Sequence, residues 1–317
     1  MKKKILIVTL LVASSVQLAD CQWKKLAVKD LTGWELLNGT APFVIEKGVV
    51  TGTTVVDSPN SFLCTKEKFS DFILEFDTWF DPQINSGVQI RSESRPDYQN
   101  GRVHGYQVEM DPSTRAWSGG IYDEARRGWL YNLERNPQGK KALKQGEWNH
   151  YRIEAIGNSI RTWVNGIPCA DLVDDLTPEG FIALQVHSIG NDKSKEGLMV
   201  KWKNIRILTK NIEKYRTPYT AVIPQNSFLN NVLTDREINE GWHLLFDGKT
   251  GAGWINSQTK KFPESGWTIE DGNLTISPET KKPGGGGDIV SETKYKSFEL
   301  IFDFKYTQGA TRGVKYF

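Results

Sequence analysis

The sequence predicts an all-β protein, an antiparallel two-sheet sandwich, on three observations. Apolar residues recur at every second position through most of the chain, the period of a strand with one buried face. Turn pairs rich in glycine and asparagine separate those runs, as hairpins require. The chain also repeats itself. Within residues 61–91 (SFLCTKEKFSDFILEFDTWFDPQINSGVQIR), the stretch from Phe62 on matches residues 288–317 without a gap at an offset of 226, pairing Phe72 with Phe298, Leu74 with Leu300, Phe76 with Phe302 and Gly87 with Gly313. A repeat this long indicates two whole domains rather than a solenoid.

The elements follow in order. MKKK followed by ILIVTLLVASSV reads as a secretory signal over residues 1–21. LADC resembles a lipoprotein box, which makes Cys21 a candidate lipid anchor. The chain is therefore expected to be exported. No other apolar run approaches the length of a membrane-spanning helix. The first copy, 22–208, opens with GWELLNG at Gly33. In FILEFDTWF, Phe72, Leu74, Phe76 and Phe80 alternate with Ile73, Glu75, Asp77 and Trp79. GVQIRS sets Val88 and Ile90 against Gln89 and Arg91. YQVEMD sets Tyr106, Val108 and Met110 against Gln107, Glu109 and Asp111. The turn pairs Gly157-Asn158 and Asn165-Gly166 divide HYRIEAIGNSIRTWVNGIPCADL into a three-strand meander. FIALQVHS sets Ile182, Leu184 and Val186 against Ala183, Gln185 and His187, and LMVKWKNIRIL closes the domain. Residues 209–240 are polar and proline-bearing, so they read as a linker. The second copy, 241–317, opens with GWHLLFDG and stops at the partner of Arg91, which predicts a truncated copy.

Forty basic against 38 acidic residues give a net charge of +2, with no basic stripe of the kind nucleic-acid binding needs. Cys64 and Cys169 sit in apolar, strand-like surroundings and read as buried free thiols rather than a disulfide framework. His150 and His243 read as structural, and His104 as a loop histidine capping backbone. The run Gly284–Gly287 lacks the Lys-Ser/Thr and helix of a phosphate cradle.

The polar sides of the strands carry the functional signal. If the strands are neighbours, Gln89, Arg91, Gln107, Glu109, Asp111, Gln185 and His187 gather on one face. A plain solvated outer face is the simpler alternative. The loop DPSTRAWSGGIYDEARRGWLYN places Trp117, Tyr122 and Trp129 among Asp123, Glu124, Arg126 and Arg127. Aromatic faces beside planar hydrogen-bonding groups suit a sugar, and a charged loop with anchoring aromatics is the alternative.

GW-x-LL-x-G, NSGVQIRS at 85–92, HGYQVEMD at 104–111, GGIYD at 119–123, ALQVH at 183–187 and KWKNIRI at 201–207, in that order and spacing, together resemble the 3-keto-disaccharide hydrolase family. The resemblance covers Trp23 to Leu208 in full and the chain from Gly241 in part. It implies a jelly-roll sandwich of the concanavalin A-like lectin/glucanase type, one complete copy plus one truncated copy. It also implies action on glucosides oxidised at C3, by elimination of the aglycone across C1–C2, followed in some members of the family by hydration of the glycal. It further implies secretion by a Gram-negative bacterium, which with residues 1–21 sets the chain in the periplasm or, if anchored at Cys21, in the outer membrane as a lipoprotein. The second copy departs from the pattern. Thr311-Arg312-Gly313-Val314 replaces Asn85-Ser86-Gly87-Val88, and counterparts of Glu109, Asp111, Tyr122 and His187 are missing.

A C3 ketone acidifies the C2 proton. Its removal needs a positioned base, a positive group on the developing oxyanion and an acid for the leaving group. Glu109 or His187 is the expected base. Arg91, or a divalent metal held by some of Glu109, Asp111 and His187, is expected to hold the enolate. Gln89, Gln107, Tyr122, Trp117, Trp129 and Gln185 are expected to bind the sugar. Glu109 and Asp111 would also serve an ordinary two-carboxylate glycosidase. A lectin or carbohydrate-binding module using the same face without chemistry is the alternative from another class.

Overall fold

The computed structural model describes residues 23–27, 29–218, 223–277, 286–310 and 313–316. The signal segment 1–21 with Cys21, Gly284-Gly285 and Thr311-Arg312 lie outside them. The chain divides into two units, the first ending at Leu229 and the second beginning at Asn230.

In chain order the first unit holds β1 (Lys24–Lys25), β2 (Trp34–Leu37), β3 (Phe43–Glu46), β4 (Val49–Thr53), β5 (Ser61–Thr65), β6 (Phe72–Phe80), β7 (Ser86–Glu93) and β8 (His104–Met110). There follow β9 (Ile121–Glu124), β10 (Gly128–Tyr131), β11 (Asn149–Ile156), β12 (Ser159–Val164), β13 (Ile167–Val173), β14 (Phe181–Val186), β15 (Met199–Leu208) and β16 (Asn226–Ser227). They form two sheets. One runs β16-β13-β12-β11-β6-β15-β4-β3, with β1 also on β15. The other runs β10-β9-β8-β7-β14-β5-β2. All the pairings are antiparallel except that of β16 with β13. The expected sandwich is therefore present. No helix among the described residues is long and apolar enough to cross a membrane.

The period-two runs explain which residues meet. β6 lies between β11 and β15. Its Phe72, Leu74, Phe76 and Phe80 face the second sheet's Val88, Ile90, Tyr106, Val108, Met110 and Leu184 in one core. Burying a large apolar side chain is worth about 1.5–3 kcal/mol, so this double layer is the main source of stability. Cys64 and Cys169 are free and buried, as expected. The 157–158 and 165–166 turns join β11, β12 and β13 into the predicted meander.

The stretch from 209 onward differs from a simple linker as far as Leu229. β16 adds to the first sheet beside Leu172 and Val173. The backbone N–H and hydroxyl of Thr217 both donate to Glu154 Oε1, at 2.8 and 2.6 Å. Glu154 also binds Arg152 and Arg161. Polarity without period reads as a loop, yet polar residues were what the buried charges of β11 and β12 needed.

Among its described residues the second unit holds one short helix, α1 (Asp235–Asn239), and four strands: β17 (Trp254–Asn256), β18 (Trp267–Glu270), β19 (Asn273–Ile276) and β20 (Ile289–Ser291). β18–β19 closes on Asp271-Gly272, with φ of 49° and 74°. β3–β4 closes on Lys47-Gly48, with φ of 49° and 77°. Both are turns with two left-handed residues, which match strand twist. Residues 298–306 form no strand, and Phe298, Leu300, Phe302 and Phe304 are exposed, whereas the matched Phe72, Leu74 and Phe76 are buried.

Candidate active site

The face of the second sheet turned away from the main core is not a solvated surface. Gln89, Gln107, Glu109 and Gln185 are each at most 4% exposed. Phe62, Cys64, Val103, Phe181 and Ala183 form a second apolar cluster, in register beside them: Cys64 faces Ala183, and Ala183 faces Gln89. Cross-strand pairing lines up Gln89, Gln107, Tyr122 and Trp129 in one row over β7, β8, β9 and β10. Glu109 is two residues along β8 from Gln107 and pairs with Gly87. A side chain at Gly87 would come within 2.5 Å of Gln107 Cδ, so this glycine lets the glutamine lie flat across the strand.

Glu109 is held at both oxygens. Asn85 Nδ2 donates to Oε1 and Gln107 Nε2 donates to Oε2 at 3.0 Å. Burial pushes its carboxyl up to about 7; the two amide donors partly offset this, and the neighbouring Asp111 charge adds to it. A carboxyl that exchanges its proton near neutrality suits a general base. Behind it, Gln89 Nε2 donates to Gln107 Oε1 at 2.7 Å, and Ser92 Oγ donates to Gln89 Oε1 at 2.8 Å.

Gln185 is different. It is fully buried, and both ends of its amide lack a partner among the described residues. Continuing the register of Leu184 opposite Val88 sets it beside Gly87, across from Glu109. Buried polar atoms without partners are costly and call for an explanation, a ligand among them. On the other side Tyr122 and Trp129 meet edge to face at 5.3 Å, and Trp129 and Trp117 at 4.7 Å. The Arg115 guanidinium covers Trp117 and Trp129 at 4.9 and 5.1 Å.

Three expected roles are not supported. Arg91 does not join this face. Its φ of 45° marks a bulge, where the β7–β8 register shifts between Ile90 and Glu93. The extra residue breaks the alternation and sends the guanidinium to Ser70 O and Gly157 O, both at 2.7 Å, and to Asp71 Oδ1 at 3.0 Å. Asp111 is committed to its own loop. One oxygen accepts from Ser113 N at 3.0 Å and the other from Arg115 Nε at 2.9 Å. Burial opposes its charge, but the bonds from Ser113 and Arg115 outweigh that and hold it below the ordinary range. Among the described residues no three His, Cys, Asp or Glu side chains are grouped to hold a metal ion, so Glu109, Asp111 and His187 do not assemble the expected metal site. His187 follows the end of β14, exposed, with Nδ1 against Ser188 O at 2.7 Å. It lies one residue beyond β14, at the end where Ser86 Oγ donates to Gln185 O at 2.7 Å. Of the other histidines, His104 lies within β8 yet bonds backbone, Arg102 O, at 2.8 Å.

Asn85 and Ser92 were not singled out by sequence reasoning. Asn85 stood in NSGVQIRS, and its place opposite Asp111 followed from the strand pairing. Ser92 could not be placed, because the bulge changes its side. Two surface clefts of about 350 and 480 Å³ are lined by Lys24, Trp34 and Phe69 and by Arg95, Tyr98 and His104. Neither includes Glu109, so its chemistry, not concavity, locates the site.

The profile of the 3-keto-alpha-glucoside-1,2-lyase-like domain matches residues 22–208 and 241–317. A curated relative, a 3-keto-disaccharide hydrolase of Bacteroides thetaiotaomicron, is 36% identical over 80 residues, 24% of this chain and 27% of the relative. The match thus spans about a quarter of that relative's length. Among solved structures, a Bacillus subtilis protein of unknown function with a galectin-like fold is 11% identical, covering 59% of this chain and 98% of its own, with a TM-score of 0.44. The carbohydrate-binding module CBM66 from Bacillus subtilis is 18% identical, covering 56% and 96%, with a TM-score of 0.41.

Proposed function

For a chain that belongs to the family of 3-keto-alpha-glucoside-1,2-lyase-like domains, we propose that the first unit cleaves glucosides already oxidised at C3, with Glu109 as the base. One observation carries this: a carboxylate buried on the polar face is held at both oxygens by Asn85 and Gln107, and its burial pushes it up to about 7. Glu109 takes the C2 proton. The C1–O bond then breaks, the leaving oxygen takes a proton, and a 2-hydroxy-3-keto-glucal remains. Water added across that double bond gives the 3-keto sugar. The Gln185 amide N–H is the donor for the developing C3 oxyanion, the part expected of Arg91. His187, exposed at the same end of the sheet, protonates the leaving group. Tyr122 and Trp129 flank the substrate with apolar faces. The metal enters no step, because Asp111 is not free to bind it.

The second unit is read as a further copy of the domain, on the shared hairpin turn and the offset of 226. Export is read from residues 1–21, and lipid attachment at Cys21 would be checked by the mass of the mature protein.

The deciding experiment gives the purified chain a 3-keto-glucoside and its unoxidised parent. Release of the aglycone from the first alone is expected, with Glu109→Gln slower by about 10²-fold or more. A protein that binds both and turns over neither would be a carbohydrate-binding module instead, a reading that the unpaired Gln185 amide also suits.

A further inference from the structure

We propose that Gln89 and Ser92 are positioning residues for Glu109, acting through a hydrogen-bond chain whose direction is fixed from the carboxylate end. The inference rests on Glu109 being the base. An ionised carboxylate only accepts hydrogen bonds. Gln107, 3.0 Å from Oε2, must therefore present its NH2 group to Glu109. Its own oxygen then faces Gln89 and needs a donor, which Gln89 Nε2 supplies at 2.7 Å. That leaves Gln89 Oε1 as an acceptor, and Ser92 Oγ stands 2.8 Å away with a proton to give. The two amides are thus oriented jointly. Turning Gln107 sets like ends face to face at two contacts; turning Gln89 does so at one, against Gln107 Oε1, and costs Ser92 Oγ its nearest acceptor. Ser92 has other acceptors, Ile90 O at 3.0 Å and Tyr106 O at 3.4 Å, but Gln89 Oε1 is the shortest.

The backbone is built to bring Ser92 here. In a regular strand Gln89 and Ser92, three apart, would lie on opposite faces. The bulge at Arg91 puts them on the same one. Two glycines press on the bulge. A side chain at Gly105 would meet Ser92 Oγ at 2.4 Å, and one at Gly180 would meet the Ser92 backbone N at 2.5 Å. Gln89, Ser92 and Gln107 are all buried. In such surroundings each bond of a chain polarises the next, and a half-satisfied chain is costly. Neither Gln89 nor Ser92 touches the proton to be moved; they hold the group that holds the base.

The test uses the full chain with its glutamine side-chain amides labelled with nitrogen-15. In the wild type the Gln107 NH2 signal, assigned by its loss in Gln107→Leu, should exchange slowly with solvent. Gln89→Leu should speed that exchange and lower kcat on a 3-keto-glucoside by about 10-fold to 10²-fold, with KM little changed. Gln89→Glu keeps the shape and, once ionised at high pH, can only accept, so there it draws the Gln107 NH2 group away from Glu109. It should be slower than Gln89→Leu, which mere loss of packing does not predict. Ser92→Ala should fall between wild type and Gln89→Leu, and Ser92→Thr should restore the wild-type values. If Gln89→Leu does not fold, the Ser92 pair makes the same comparison. Unchanged Gln107 exchange in Gln89→Leu, Gln89→Glu no slower than Gln89→Leu, or Ser92→Thr as poor as Ser92→Ala would each overturn the proposal. If the wild type shows no turnover, the reading of the active site fails, and the exchange measurement still decides whether the chain exists.

Discussion

Glu109 carries a stability cost that its removal should reveal. The folded protein holds this carboxyl at about 7 against an ordinary 4.5, mainly through burial. Because the folded value is the higher one, the stabilising contribution belongs to the protonated form. It is fully present below the ordinary value and is lost as pH rises through the folded one. At about 1.4 kcal/mol per pH unit, that interval amounts to roughly 3 kcal/mol. Glu109→Gln cannot ionise, so it should not lose stability over this range. Its amide must set an NH2 end against Asn85 or Gln107, at a cost of about 1 kcal/mol that does not depend on pH. The informative quantity is therefore the difference in Tm between variant and wild type, measured at pH 5 and again at pH 8. It should move in favour of the variant by roughly 6–12 °C between the two conditions, taking about 2–4 °C per kcal/mol for a domain of this size. The same variant should lose about 10²-fold or more in turnover. A Tm difference equal at both pH values would refute the raised carboxyl, and undiminished turnover would refute its role as base.

Arg91→Met should destabilise the first unit by roughly 2–4 kcal/mol, read from the urea midpoint, since it strands Ser70 O and Gly157 O; an unchanged midpoint would refute that structural role. Gly87→Ala should lower kcat by about 10-fold or more by displacing Gln107, and a crystal structure of the variant with Gln107 unmoved would count against that. His187→Ala should slow substrates with poor leaving groups by about 10²-fold and those with acidic aglycones far less; an equal loss on both would remove His187 as the acid. Trp129→Ala should raise KM more than it lowers kcat in steady-state kinetics, as loss of a stacking face predicts.

Period two was enough to place Phe72, Leu74, Val88, Val108 and Leu184 in one core, and to put Gln89, Gln107, Glu109 and Gln185 together opposite them. That much follows from alternation alone. Arg91 was misplaced because one residue in the left-handed region shifts the count by one, and nothing in RSES announces it: arginine is not a residue that favours positive φ. Asp111 has the right parity, but its neighbours Ser113 and Arg115 claim it. A strand pattern does not show what the following loop will turn back to bind. The burial of the polar face was equally invisible, since glutamine and glutamate at alternate positions look the same whether water or protein covers them.

The two-residue strand β16 decides where this domain ends. A sheet whose last strand presents bare N–H and C=O groups is a template for another chain. Laid beside Leu172 and Val173, β16 takes up that pairing capacity at one side of the first sheet, while Thr217 satisfies Glu154. A domain cut at Leu208 would bare the backbone of β13 at Leu172 and Val173 and strip a buried carboxylate of two donors, although every large strand of the sandwich remained. Such a chain should associate through the end of β13 more readily than one continued to Leu229 at the same concentration, as read by analytical ultracentrifugation. The smallest independent unit is therefore set by the protection of one short row of backbone groups rather than by the last strand of the core.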